Sequence, residues 1–186
     1  MPLTTLDATA ALIVIDLQKG VVGIKTAHPA SEIVARSAEL AHAFRERGLP
    51  VVLVNVTAGA PGRTDAGPAN FSFSDDWAQL VPELDPQPTD YLVTKQRRGA
   101  FIGTSLDAYL RQRGVTQVFL AGIATSAGVE STARSASDYG YHVVFITDAM
   151  TDRDPDIHRH CVEKIFPRMG ETDTTENVLK HLRSGT

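Results

Sequence analysis

The chain has 186 residues, 42% of them hydrophobic, with a formal net charge of −4. This is enough apolar material for a single domain spanning residues 1–186 around a sizeable core. An acidic balance without a basic stripe argues against a nucleic-acid partner. Nothing basic precedes an apolar segment in MPLTTLDATAALIVID, and its apolar run, Ala10 to Ile15, is too short to span a bilayer or act as a signal. A cytoplasmic protein with no membrane partner is expected. The single Cys161 has no internal disulfide partner, which suits a reducing compartment.

Ala10 to Ile15, AALIVI, is apolar on both alternating faces, as a parallel strand covered on both sides must be. It stops at Asp16. Ser31 is placed to cap a helix reaching about Arg47, with Ile33, Ser37, Leu40, Ala41 and Phe44 as its inward stripe. Gly48 and Pro50 end that helix, and VVLVNV, Val51 to Val56, is the second strand. Residues 57 to 89 are rich in Gly, Pro, Asp and Ser. Phe71, Phe73 and Trp77 within them either pack this stretch down, on the domain or on a second subunit, or belong to a substrate lid. DYLV, Asp90 to Val93, is the third strand. Thr104 and Asp107 suit a capping box for a helix that ends at Arg113–Gly114.

Val118 to Ala121 is the fourth strand. A polar turn at Thr125–Ser126 leads into a helix from Ala127 to Tyr139, closed by Gly140. HVVFIT, His142 to Thr147, is the fifth strand, closed by Asp148. Asp154–Pro155 opens a helix that Pro167 ends. A last strand near Arg168 to Glu171 and a helix from about Thr175 to Leu182 complete the chain. Strands alternating with helices predict an α/β fold with a mainly parallel sheet, a three-layer sandwich.

Certain residues carry chemistry. Asp16, just past an apolar strand, reads either as a loop-capping or surface-paired carboxylate or as an acid or base whose pKa burial raises. Lys95 reads either as a solvated strand-end charge or as the partner that holds such a carboxylate ionised or stabilises a developing anion. The strand–turn–helix of Gln117 to Arg134 makes an anion-binding shape, because the first helical N–H groups lack internal partners. His158 and His160, two apart, face different directions and make no joint metal site. GIATSAG matches neither dinucleotide nor phosphate-loop spacing. No cofactor and no metal are expected.

IVIDLQ around Asp16, TKQRRGAF around Lys95 and GIATSAG from Gly122 to Gly128 together resemble the isochorismatase-like cysteine hydrolases. The resemblance covers nearly the whole chain. It implies six strands in the order 3-2-1-4-5-6, with Asp16 and the Ala124–Gly128 turn meeting at the switch point. It also implies a non-proline cis peptide at Ile123–Ala124 and a homodimer or larger homo-oligomer. The catalytic positions it implies are Asp16, Lys95 and Gly128, the last standing where most members have the nucleophilic cysteine. The turn amides of Ala124 and Gly128 are expected to face a substrate oxygen. The set expected to contact a small-molecule substrate is Ile123, Ala124, Gln18, Phe101, Arg97 and Trp77. NVTAGAPG, Asn55 to Gly62, lacks the Asp and His of a nicotinamidase metal cluster.

Gly128 cannot attack a substrate. Cys161, on an apolar helix face, has nothing near it to lower a thiol pKa, and Ser126 has no histidine nearby in sequence to serve as its base. Two readings therefore stand. One is a hydrolase working through acid/base-assisted water attack, on a vinyl ether, amide or ester, without a covalent cysteine intermediate. The other is a lapsed or non-catalytic member that binds a small molecule.

Overall fold

The computed structural model describes residues 2–65 and 74–184. In chain order these form β1 (Ala10–Ile15), α1 (Lys19–Val22), α2 (Ala30–Glu46), β2 (Val51–Val56), β3 (Tyr91–Lys95), α3 (Leu106–Gln112), β4 (Gln117–Ile123), α4 (Glu130–Asp138), β5 (His142–Thr151), α5 (Pro155–His160), β6 (Glu171–Asp173) and α6 (Thr175–Ser184). The strands make one six-stranded, all-parallel sheet in the order β3-β2-β1-β4-β5-β6. The expected α/β sandwich and strand order are both present.

β1 is buried along its whole length because its alternate side chains enter two separate cores. Leu12 and Val14 pack with α2 and α6 on one face of the sheet. Ala11, Ile13 and Ile15 pack with Leu106 and Leu110 of α3 and Ala133 and Ala136 of α4 on the other. A strand covered on both sides cannot alternate apolar and polar residues, so AALIVI is apolar throughout.

Several boundaries differ from the sequence reading. The second helix starts at Ala30 behind Pro29 and makes no side-chain cap, so Ser31 lies inside it. The third strand starts at Tyr91 rather than Asp90, with Lys95 as its last residue. β5 continues past Asp148 to Thr151: a register shift between Leu120 and Gly122 lets Met150 and Thr151 pair with Gly122 and Ile123. Asp148 instead accepts from the Thr175 amide and hydroxyl at the start of α6. The last strand lies at Glu171–Asp173, later than expected. Thr104 accepts from the Leu106 amide, but Asp107 bonds Arg111 and Tyr141, so no reciprocal capping box forms. Asp154 does cap α5, accepting from the Asp156 and Ile157 amides. That helix changes to a wider π-type turn at Cys161–Ile165; Ile157 is exposed and Cys161 is buried.

The feature that builds the site is the approach of β4 to β1. Gly122 has φ +118°, and a β-carbon there would lie 2.1 Å from the Ile15 carbonyl oxygen. Only a glycine allows both the angle and the contact. The ends of β1 and β4 are thereby held together, and the residues following each strand meet at the same end of the sheet.

Candidate active site

Asp16 follows the last residue of β1 in the left-handed region, at φ +52°, a conformation Asp tolerates better than most residues. Its amide donates to the Val54 carbonyl at 2.9 Å, which fixes the turn. The side chain is buried, and Lys95 Nζ donates to its Oδ2 at 2.7 Å. Lys95 ends β3, two strands away, and its side chain is 2% exposed. Its ammonium also donates to the Arg97 carbonyl at 3.2 Å. The other carboxylate oxygen, Asp16 Oδ1, is buried and has no hydrogen-bond partner. Burial pushes the Asp16 carboxyl up to about 6, outweighing the charge and hydrogen bond of Lys95. A buried polar atom without a partner costs about 1–3 kcal/mol, so such an orphan points to a ligand or a reacting group.

After β4 the chain passes through a cis Ile123–Ala124 peptide into a π-type turn, Thr125–Val129, which runs into α4. The Ala124 carbonyl accepts from the amides of Ala127 and Val129, at 3.1 and 3.2 Å. Gly128 is buried in this turn, and a β-carbon on it would lie 3.2 Å from Asp16 Oδ2. The same atom would lie 2.8 Å from Ile15 Cγ2, inside normal contact. Three positions distant in sequence, Asp16, Lys95 and Gly128, are thus brought together. Thr132 anchors the turn from α4, donating to the Gly128 carbonyl at 2.7 Å and accepting from the Ala100 amide at 3.0 Å. Gly99 packs against the backbone of Ser131, where a β-carbon would come within 3.2 Å of its oxygen.

The expected substrate-contacting residues divide. Ile123 is buried, and Ala124 is half-buried at the mouth of the turn. Gln18 is fully buried and spends its amide on the main chain: Oε1 accepts from Val56 N at 2.7 Å, and Nε2 donates to the carbonyls of Val56 and Trp77 at 3.0 and 3.2 Å. It stitches the segment around Trp77 to the end of β2 and has little capacity left for a substrate. Phe101 is buried against Tyr139 and Tyr141 and belongs to the core. Arg97 is exposed, its guanidinium donating to the Gln96 carbonyl at 2.7 Å. Trp77 is half-buried, its ring lying where a Gly20 side chain would have to be. Phe71 and Phe73 lie outside the described residues.

Cys161 is buried, and its thiol donates to Glu130 Oε2 at 3.4 Å. Burial first, and then Glu130, push it up to about 12. A thiol so protonated is a poor nucleophile. Among the described residues no group of three or more His, Cys, Asp or Glu side chains is arranged to hold a metal ion, and no helix is long and apolar enough to cross a membrane.

The sequence reading missed one cluster beside the site. His158 Nδ1 lies 2.8 Å from Thr125 Oγ1, and its ring stands edge-on to His28 at 4.8 Å. Asp152 accepts from the Ser126 amide at 2.8 Å. The signal was the strand order itself: β1, β4 and β5 are neighbours, so segments following all three meet at one end of the sheet.

A sheet of this order, with a buried carboxylate–ammonium pair facing a turn after the fourth strand, defines a class of α/β hydrolase. A family profile of the isochorismatase domain matches residues 10–177. The chain is 42% identical over 180 residues to YwoC, an uncharacterized isochorismatase family protein of Bacillus subtilis (strain 168), covering 93% of this chain and 94% of that one. It is 30% identical over 178 residues to the ureidoacrylate amidohydrolase RutB of Variovorax paradoxus (strain S110), covering 80% of this chain and 71% of the relative. The solved structure of an isochorismatase family protein from Burkholderia thailandensis superimposes with a TM-score of 0.93 at 40% identity, over 96% of this chain and 98% of that one. The chain belongs to the isochorismatase family of hydrolases.

Proposed function

We propose that this hydrolase acts on a small substrate bearing a carboxylate or carbonyl, through acid/base-assisted attack of water at Asp16 and without a covalent cysteine intermediate. The observation that carries the reading is Asp16 Oδ1, buried and unpartnered, on a carboxylate whose other oxygen Lys95 holds and whose neighbour Gly128 has no side chain. In its protonated form Asp16 gives its proton to the terminal carbon of a vinyl ether. Water adds to the resulting oxocarbenium ion and returns a proton to the carboxylate, and the hemiketal collapses to a carbonyl compound and an alcohol. With an amide, the Asp16 carboxylate takes the proton of the attacking water and delivers it to the leaving nitrogen. The name ureidoacrylate amidohydrolase, carried by a relative, supports including C–N substrates. Lys95 steadies the carboxylate in either case, and the Ala124 and Gly128 amides orient the substrate oxygen.

The test is a turnover screen of vinyl ethers, amides and ureido acids with wild type, Asp16→Asn and Gly128→Cys. Wild-type turnover that falls about 10²–10⁴-fold in Asp16→Asn supports the reading. Cys161→Ala should leave that turnover intact, and intact-protein mass spectrometry during turnover should show no covalent adduct. A wild type inert to every class, with amide hydrolysis gained by Gly128→Cys, would instead mark a lapsed enzyme that binds small molecules.

A further inference from the structure

The two residues that open the Gly128 turn are held from outside the sheet. Ser126 donates its amide to Asp152 Oδ2 at 2.8 Å. Asp152 is itself fixed: its Oδ1 accepts from the Arg153 amide at 2.7 Å, and its carbonyl accepts from Ala27 N at 2.8 Å. Thr125, fully buried, shares a 2.8 Å hydrogen bond with His158 Nδ1. His28 packs edge-on to His158, and its own Nδ1 lies 3.0 Å from Thr151 Oγ1. The proposed chemistry at Asp16 uses none of these side chains.

We propose that His158 is a positioning residue whose charge state decides how firmly the Thr125–Gly128 turn is held, making the turn sensitive to acidification. Neutral His158, with its proton on Nε2, accepts the Thr125 hydroxyl proton at Nδ1. Once protonated, it is a donor at both nitrogens. The bond then reverses, and a threonine hydroxyl in a dry site must find another acceptor for its own proton. The titratable groups facing His158 are His28, from the segment between α1 and α2, and Asp152, from the end of β5. Within its own segment, Asp154 spends its carboxylate on the Asp156 and Ile157 amides and its carbonyl on His158 N. Burial, and then His28, hold the His158 imidazole below the ordinary histidine range, against the pull of Asp152. The neutral, turn-holding form therefore dominates at neutral pH and is lost on acidification below that range.

The inference rests on the turn being the element that faces substrate, but its test needs no substrate. Backbone amide shifts of Thr125, Ser126 and Gly128 are followed by NMR from pH 4.5 to 8, together with the imidazole resonances. The work is done in an Asp16→Asn background, which removes the neighbouring carboxyl titration. The turn amides should move with the midpoint of His158. That midpoint should rise in His28→Gln, which removes a like-charged neighbour, and the inflection should vanish in His158→Gln. Turn amides that stay flat while His158 titrates, or an inflection that survives His158→Gln, would overturn the proposal and leave the Asp16 chemistry standing. Should His158→Gln fail to fold, the His28→Gln variant still decides, because the turn amides must follow the shifted His158 midpoint.

Discussion

Lys95 Nζ and Asp16 Oδ2 are 2.7 Å apart although 79 residues separate them in the chain, and both side chains are buried. Removing one member of such a pair leaves the other charge in a dry site, at a cost of about 3–5 kcal/mol. Lys95→Met should therefore lower unfolding free energy by that order at pH 8 in urea titrations. Acidification should restore part of it, because a protonated Asp16 no longer needs a cation. A variant as stable as wild type at both pH values would mean that the pair is solvated.

The elevated Asp16 pKa fixes the direction of pH effects. If Asp16 acts as the acid, kcat/KM falls as pH rises through about 6; if it acts as the base, kcat/KM rises through the same point. The profile thus separates vinyl ether protonation from amide hydrolysis. Stability follows its own sign. The folded carboxyl holds its proton more tightly than the unfolded one, whose ordinary value is 3.8. Its contribution to stability is complete below that value and is lost as pH rises through about 6. Asp16→Asn should flatten this part of the stability-against-pH curve.

Gly128 is sterically closed as well as chemically bare. A β-carbon there would meet Ile15 Cγ2 at 2.8 Å, so Gly128→Ala should cost about 1–3 kcal/mol through overpacking. Ile15→Ala removes the offending methyl at its own cost, and the double variant should be more stable than the two single effects sum to. Strict additivity in a denaturation double-mutant cycle would show that the turn moves aside freely. The same crowding predicts that a Gly128→Cys thiol works best beside a smaller residue 15.

Gln18 makes three hydrogen bonds to main chain from a fully buried position. Gln18→Leu should lower stability by about 1–3 kcal/mol, because the Val56 amide loses the Gln18 oxygen and the Val56 carbonyl the Gln18 amide, while the Trp77 carbonyl keeps only the Gly20 amide. It should also speed limited proteolysis at Trp77 to Leu80, since that segment is tied to the end of β2 through Gln18. Unchanged cleavage would assign that tethering to the other contacts of the segment, such as Asn55 Nδ2 to the Ala78 carbonyl.

How much was legible in the sequence depended on whether the cause was local. β1 could be bounded to the residue because a doubly covered strand must be apolar throughout, and β2 because its apolar run, broken only by Asn55, lies between Pro50 and a Gly- and Pro-rich stretch. Asp16, Lys95 and Gly128 could be named from motifs that hold their spacing. β5 was cut short at Asp148, since the bulge that lets it re-pair beyond that point is a property of two strands together. Gln18 and Phe101 looked like site residues through their neighbours in sequence, while their side chains point to main chain and core. His158 and His160 share a helix without forming a joint site, and the partners of His158 arrive from the turn after β4 and from the segment between α1 and α2.

Gly122 bears on efforts to redirect this protein to new substrates. The strand ends meet through naked backbone, with Ile15 oxygen where any side chain on residue 122 would begin. Diversity introduced there would prise the sheet apart before it altered selectivity. Libraries should spare that junction and vary exposed positions instead, such as Arg97, whose side chain stands in solvent.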